Sequence, residues 1–337
     1  MSRTVLVTGG SGFIGSHVLR NLAERGDTVI NLDVRAPGPA AEWQLRPVAD
    51  CIQLVHGGVD ELSNIIAAVK EHQPDTIIHI AAVVDLAVLV QRHTLAMQIN
   101  LGGTLNILEA ARIFGVKRVV YFSSIAVLPA LQYEPVDVNH PVFLAAEGPG
   151  ESFYGAGKVA SEAFCWAYRQ AFGLDFIILR PSAVYGFGQG FPIFIKPMVE
   201  NAVRGLPTRF ETGREFPRDY THVDDVAHLA VRAVDIPPEK VQDRVFYGAT
   251  GQPLVTAGEV AEVVQELIPG ADIRIGSGLS EEDLIEIRYR GVLSIKNAQE
   301  QLGFKPRFAD IRDGIADYIE TYRRYLAESD QQEMQRT

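Results

Sequence analysis

The chain has 337 residues, 47% of them hydrophobic, enough to bury a large core in one large domain or two closely joined ones. Its 42 acidic residues outnumber 31 basic ones, and the net charge of −11 excludes a general nucleic-acid or membrane-surface binder, since such polyanions are repelled. Two widely separated cysteines, Cys51 and Cys165, exclude a disulfide scaffold and predict two buried thiols in a reducing, cytoplasmic setting. No charged-then-apolar leader precedes the first apolar run, and the longest apolar stretches are interrupted by polar residues, so a soluble protein is expected.

The first element is "VLVTGGSGFIGSHVLRNL", Val5 to Leu22. Val5 to Val7 reads as a buried strand, and from Phe13 onward the apolar residues Ile14, Val18, Leu19 and Leu22 fall at helical spacing. Gly9, Gly10, Gly12 and Gly15 therefore occupy a strand-to-helix turn. They remove side chains where a dinucleotide pyrophosphate rests on backbone N–H groups at the positive end of a helix, and Gly15 is expected to let the helix lie close on the sheet. An ordinary glycine-rich turn is the plain alternative. What favours the dinucleotide is the next apolar run, Val29 to Leu32, which ends in Asp33, 18 residues after Gly15 and near the spacing of about 20 at which an acid binds the adenosine ribose. An acid there repels a 2′-phosphate, so NAD is favoured over NADP.

Further apolar runs near Ile52, Ile77, Val119 and Phe176 alternate with helical patterns over Leu62 to Glu71, Met97 to Phe114 and Tyr154 to Phe172. That order predicts an α/β fold of Rossmann type, a doubly wound parallel sheet with crossover helices. Residues 1–180 are assigned to the NAD-binding Rossmann domain with the catalytic residues. Residues 181–328 are assigned mainly to a smaller C-terminal substrate-binding lobe, with the chain able to cross between lobes. This lobe is expected to hold a helix over Ile193 to Arg204, the strand-like "RVFYGAT" and helices near Val255 to Leu267 and Ile311 to Tyr325; residues 329–337 form a polar tail expected to fray. Substrate then lies between the lobes at the carboxyl edge of the sheet.

The segment "SFYGAGKVASEAF" puts Tyr154 and Lys158 one turn apart on a helix face. A phenol with a pKa of about 10 is a poor base at neutral pH, and a neighbouring ammonium favours its phenolate. Alone, a Tyr-x-x-x-Lys pattern is more often a half-buried Tyr beside a surface Lys; after a dinucleotide-binding turn it reads as an acid/base pair. A strand in "RVVYFSSIAV" ends in Ser123 and Ser124, where open α/β sheets present ligand-binding groups. "GREFPRDYTHVDD" offers Arg214 and Arg218 as phosphate clamps, with a solvated basic loop as the plain alternative. Asp224 and Asp225 are expected to cap the helix that follows, and "SEEDL" to form a capping box between Ser280 and Asp283. His222 and His228 lack zinc spacing and His79 lies in an apolar strand, so all three read as structural and no metal is expected.

At this point the chain resembles the extended short-chain dehydrogenase/reductases, in the NAD-dependent epimerase/dehydratase branch, over nearly its whole length. The likeness rests on "TGGSGFIG", "IIHIAA", Asn100 in "NLGGT", "SSIAV", "YGAGK", "LRPSAVYG", "RDYTHVDDVA" and "SIKNAQEQLGFKP". The resemblance implies that Ser124 hydrogen-bonds the reacting hydroxyl, that Tyr154 is the acid/base, and that Lys158 holds the nicotinamide ribose and lowers the Tyr154 pKa. It implies that Gly9, Gly12, Phe13, Ile14, Gly15, Asp33, Val59, Ala81, Ala82, Val83, Asn100 and Pro181 surround NAD, that Arg218 grips a nucleotide diphosphate, and that a homodimer pairs the helices of Met97 to Phe114 and Tyr154 to Phe172.

Four positions depart from the family's pattern. Gly58 replaces an Asp at the adenine pocket, with Asp60 nearby; Leu128 and Pro129 replace Tyr-Gly after the Ser motif; and Ala183 replaces an Asn that meets the nucleotide-sugar diphosphate. Ile125 and Ala126 follow Ser124 where the branch's dehydratases and decarboxylases carry acids, which disfavours elimination. The reading is an NAD-dependent nucleotide-sugar epimerase acting through a keto intermediate. The alternatives are an NAD-dependent dehydrogenase of a non-nucleotide hydroxyl substrate and a non-catalytic NAD-sensing protein. The 24 residues from Pro129 to Ser152 are long enough to form a lid over the sugar.

Overall fold

All six expected strands of the first 181 residues form, as β1 (Thr4–Thr8), β2 (Thr28–Asp33), β3 (Ile52–His56), β4 (Thr76–His79), β5 (Arg118–Phe122) and β6 (Phe176–Pro181). The computed structural model describes residues 2–336 except Glu151 and Pro192. Helices α1 (Phe13–Glu24), α2 (Pro39–Leu45), α3 (Leu62–His72), α4 (Leu86–Gln91), α5 (His93–Met97), α6 (Gly103–Phe114) and α7 (Ser152–Phe172) connect the strands. The helix expected as continuous from Met97 is broken into a π-turn over Gln98–Gly102 before α6 begins.

The rest of the chain supplies β7 (Ala183–Tyr185), α8 (Ile195–Val203), β8 (Thr208–Phe210), β9 (Pro217–Arg218), β10 (Tyr220–His222), α9 (Val223–Asp235), β11 (Val245–Gly248), β12 (Val255–Thr256), α10 (Ala257–Leu267), β13 (Ile273–Ile275), α11 (Glu281–Glu286), α12 (Lys296–Leu302) and α13 (Ile311–Arg336). The main sheet runs β3-β2-β1-β4-β5-β6-β11 with every neighbouring pair parallel. The order reverses between β1 and β4, the switch point where a crevice opens at the strands' carboxyl ends.

Side chains alternate between the two faces of the sheet. Val5 and Val7 pack with Val18, Leu19 and Leu22 of α1 and with Val226, Leu229 and Ala230 of α9. Leu6 faces the other way, toward Ile65 of α3, Ile107 and Leu108 of α6 and Cys165 of α7. Each fully buried aliphatic side chain contributes about 1.5–3 kcal/mol, which fixes both helical layers on the sheet. A third core, with Met198, Tyr220, Val260 and Tyr318, holds the smaller lobe together.

Three expectations are corrected here. "RVFYGAT" forms β11, which pairs with β6 in the main sheet, so the chain returns to the first lobe after residue 181. Cys51 is exposed, because it ends a 3-10 turn beside the half-exposed edge strand β3; Cys165 is buried. The tail from Ser329 continues α13 to Arg336, in keeping with its Glu, Gln and Met residues, which are good helix formers. The capping box between Ser280 and Asp283 forms as expected.

Candidate active site

The glycine turn after β1 is tight for identifiable reasons. Gly9 has φ +73°, and a Cβ on Gly15 would lie 2.1 Å from the Gly9 carbonyl oxygen. Gly15 thus permits close approach of the helix to the turn itself, rather than to the sheet. No side chain caps α1 at Gly12, so the first-turn N–H groups around Phe13 and Ile14 are presented at the crevice, and a cavity of about 170 Å³ lined in part by Gly12, Phe13 and Ser16 opens beside them. Asp33 ends β2, its carboxylate accepting from the N–H groups of Ser11 and Arg35 at 3.1 Å each. A Cβ on Gly58 would lie 2.3 Å from Asp60 Oδ1, so the Asp60 carboxylate occupies the space beside the position where the family carries its acid.

The far wall of the crevice follows β4. Ala81 lies against Gly9, and the Asn100 side chain receives the Val83 N–H at 2.7 Å and donates to the Val83 carbonyl at 2.9 Å. The π-turn carries Asn100 into this position. Val59 is buried against Gly103, the main chain at Ala82 lies between the Ala81 and Val83 contacts, and Pro181 ends β6 against Gly248. His79 is an internal residue, as expected: its ring lies 2.7 Å from Thr8 Oγ1 and 3.1 Å from Thr104 Oγ1, and burial together with the charge of Lys158 lowers its pKa to about 3.

Ser123 and Ser124 are separated by their surroundings. Ser123 is buried and donates to Glu162 Oε1 at 2.6 Å, while Ser124 is half-buried and its Oγ accepts from the Ala126 N–H at 3.1 Å. The turn that follows Ser124 packs on the start of α7: a Cβ on Gly155 would lie 2.4 Å from the Ala126 carbonyl oxygen, so the glycine after Tyr154 is what permits the approach. Lys158 is buried, donates to the Phe122 carbonyl at 2.6 Å, and stands 5.5 Å from the centre of the Tyr154 ring. Burial lowers its pKa to about 8, against the opposing charge of Glu162.

Glu162 and Arg180 escape the reading from sequence. Arg180 grips the Glu162 carboxylate with Nε at 2.9 Å and Nη2 at 2.6 Å, in a buried pair beneath Ser123 and Lys158. The available signal was the acid one turn beyond Lys158, which places Tyr154, Lys158 and Glu162 on one helix face.

Arg218 on β9 donates to Glu286 Oε2 at 3.0 Å, and Arg290, also unforeseen, donates to the same oxygen at 2.8 Å. Burial pushes the Glu286 carboxyl up, but the two guanidinium charges outweigh it and hold its pKa below the usual range. The Tyr220 hydroxyl is buried without a hydrogen-bond partner; burial raises its pKa to about 12 against the charges of Arg218 and Arg290. Arg214 is turned away to Glu262 at the surface and does not join Arg218.

Asp224 and Asp225 do not cap α9. His222 does, its Nδ1 accepting the Asp224 N–H at 3.3 Å, because Asp224 is drawn to His17 and Asp225 to the N–H groups of Arg307 and Phe308. His222, Asp224 and Asp317 bring their ligand atoms within 4.8 Å of one another. The tautomer that accepts at Nδ1 carries its proton on Nε2, which makes that nitrogen a donor and unsuited to a metal. The segment from Pro129 to Gly150 is tied to the chain after α11: Leu131 N–H to the Arg288 carbonyl at 2.9 Å, Val136 N–H to the Val292 carbonyl at 2.7 Å, and Glu147 to Arg288 at 2.8 Å. Among the described residues no helix is long and apolar enough to cross a membrane.

Comparison with known proteins fits this geometry. The chain is 29% identical over 326 residues to a UDP-glucose 4-epimerase of Mycolicibacterium smegmatis, covering 94% of this chain and 98% of that one. It is 27% identical over 340 residues to a dTDP-glucose 4,6-dehydratase of Haemophilus influenzae, covering 94% and 97%. The crystal structure of a UDP-glucose 4-epimerase of Thermus thermophilus in complex with NAD superposes with a TM-score of 0.76 at 28% identity, covering 95% and 99%. The sequence pattern of the NAD dependent epimerase/dehydratase family matches residues 5–247. The chain therefore belongs to the NAD dependent epimerase/dehydratase family, and its cofactor is NAD.

Proposed function

We propose that the protein is an epimerase of a nucleotide sugar. The observations that support this reading are the pairing of Tyr154 with a buried Lys158 on α7 and, separately, the convergence of Arg218 and Arg290 on one carboxylate oxygen. The glycine turn, with no side chain capping α1 and a cavity open beside Gly12 and Phe13, and Asp33 at the end of β2 form a cradle that fits a pyrophosphate and a ribose. NAD supplies the hydride acceptor and donor when bound. Tyr154 takes the proton of the sugar hydroxyl and later returns it. Ser124 holds that oxygen in line, Lys158 keeps positive charge beside the phenol, and the arginines hold the diphosphate while the keto sugar turns over to present its other face.

Dehydration needs a second proton-transfer group beyond Ser124, and Ile125 and Ala126 are apolar and buried there, which supports epimerisation over elimination. A second reading, an NAD-dependent dehydrogenase of a non-nucleotide hydroxyl substrate, is favoured by Leu128, Pro129 and Ala183, which stand where nucleotide-sugar enzymes of the resemblance carry polar groups. A sensor without turnover has no use for Ser124, Tyr154 and Lys158 together. Exposed Ile113 and Phe114 on α6 and Phe164, Trp166 and Phe172 on α7 support a homodimer through these helices, and an exposed Cys51 thiol suits a cytoplasmic setting.

Calorimetry with UDP, GDP and dTDP tests the reading. One of them is expected to bind at micromolar level, and Arg218→Ala to remove a charge-assisted contact of about 1.5–3 kcal/mol, raising KM about tenfold or more with little change in kcat. No binding by any of the three moves the reading to the dehydrogenase.

A further inference from the structure

Glu286 stands where an anionic ligand meets the site. One of its oxygens takes hydrogen bonds from both Arg218 and Arg290. The two arginines are held in place: their side chains are 15% and 7% exposed, and the Arg218 guanidinium lies 4.7 Å from the centre of the Phe216 ring. Glu286 is less confined. It is 37% exposed and ends the six-residue helix α11, whose Leu284 and Ile285 are turned to solvent. The carboxylate is thus the outer and more easily displaced member of the trio. The buried Tyr220 hydroxyl, unpartnered and under the charge of both arginines, is a further donor at the same place.

We infer that Glu286 is an internal counter-anion that a ligand must displace from Arg218 and Arg290, and that it thereby selects for ligands carrying at least two negative charges at this position. This rests on the reading of the arginine pair as the seat of the substrate's diphosphate. A neutral ligand group can accept from the arginines but does not replace the carboxylate's charge, and a monoanion only replaces one anion by another. A diphosphate offers more charge and more acceptor oxygens than the carboxylate it expels. The same displacement frees the end of α11, which joins the chain at Arg288 that pins the segment from Pro129 to Gly150.

The test is calorimetry of the full-length, NAD-loaded protein and its Glu286→Gln variant with inorganic pyrophosphate and inorganic phosphate. The amide removes the competing charge and keeps the shape. The variant is expected to bind pyrophosphate about tenfold more tightly, the equivalent of about 1.4 kcal/mol, and to discriminate less between pyrophosphate and phosphate. Glu286→Asp, which restores the charge, is expected to return the affinity toward the wild-type value. Damage to the segment weakens binding, so a gain in affinity cannot come from a misfolded variant. Equal or weaker pyrophosphate binding by Glu286→Gln, or binding by neither protein, overturns the inference. Because the probes carry no base or sugar, a gain in pyrophosphate affinity without binding of any nucleoside diphosphate overturns the nucleotide-sugar reading alone, whereas UDP bound equally by both proteins overturns only the role of Glu286.

Discussion

The Lys158 ammonium stands 5.5 Å from the centre of the Tyr154 ring, one turn along the same face of α7, and the Phe122 carbonyl fixes it there. In the proposed mechanism that relationship is what lets the phenol serve as the base, since a neighbouring positive charge favours a phenolate. Tyr154→Phe keeps the ring and removes the ionisable oxygen. Turnover is expected to fall by at least about 10²-fold while NAD affinity stays near the wild-type value, measured by steady-state kinetics and by titration with NAD. Near-normal turnover removes Tyr154 from the chemistry.

On this reading Lys158 also sets a pH limit. Burial lowers its pKa from 10.5 to about 8, so the ammonium is present below pH 8 and lost above it. The alkaline limb of kcat is expected to fall as pH rises through about 8, and Lys158→Arg to move that limb to higher pH. The stability effect has the opposite sense. Between pH 8 and 10.5 the unfolded chain holds this proton and the folded one does not, so stability relative to Lys158→Met rises with pH across that window, by up to about 3 kcal/mol. A flat difference in denaturation midpoints contradicts the assignment.

Ser123 and Ser124 are adjacent yet differ in their surroundings, one buried on Glu162 and one half-buried at the Ala126 N–H. Ser124→Ala is expected to lower kcat by about 10²-fold with little change in melting temperature, as for loss of a transition-state hydrogen bond. Ser123→Ala is expected to act on stability, since it strips a buried partner from Glu162. The reverse pattern in parallel kinetics and melting curves exchanges their roles.

The Glu162–Arg180 pair is buried beneath both. Glu162→Gln leaves the Arg180 charge without its counter-ion and is expected to cost about 3–5 kcal/mol of stability, whereas a double replacement by apolar residues of similar volume is expected to recover much of it. Chemical denaturation of the two variants measures this.

The elements that carry the candidate cofactor residues were legible in the sequence because their signals are local. The glycine spacing, Asp33 at a strand end and Tyr154 four residues before Lys158 each sit within one strand, turn or helix, and all reach the carboxyl edge of the sheet. The arginine seat was only half visible. Arg218 lies in a recognisable segment, but the i,i+4 pair Glu286 and Arg290 arrives from some 70 residues away, and nothing in local periodicity relates that pair to Arg218. Likewise "RVFYGAT" has a strand's composition, yet its return to β6 depends on where α9 lies against α1. Asp224 and Asp225 have the composition of caps, and tertiary partners, His17 and the Arg307 main chain, claimed them instead.

The central claim is that a nucleotide sugar is oxidised and reduced again within one binding event. The direct measurement is turnover of nucleotide sugars, beginning with UDP-glucose, carrying deuterium at the reacting carbon, with the product's label followed by NMR and NADH by absorbance. The account predicts an epimeric sugar that retains its deuterium at that carbon, with no accumulation of NADH. Release of a ketone with deuterium appearing in free NADH contradicts it.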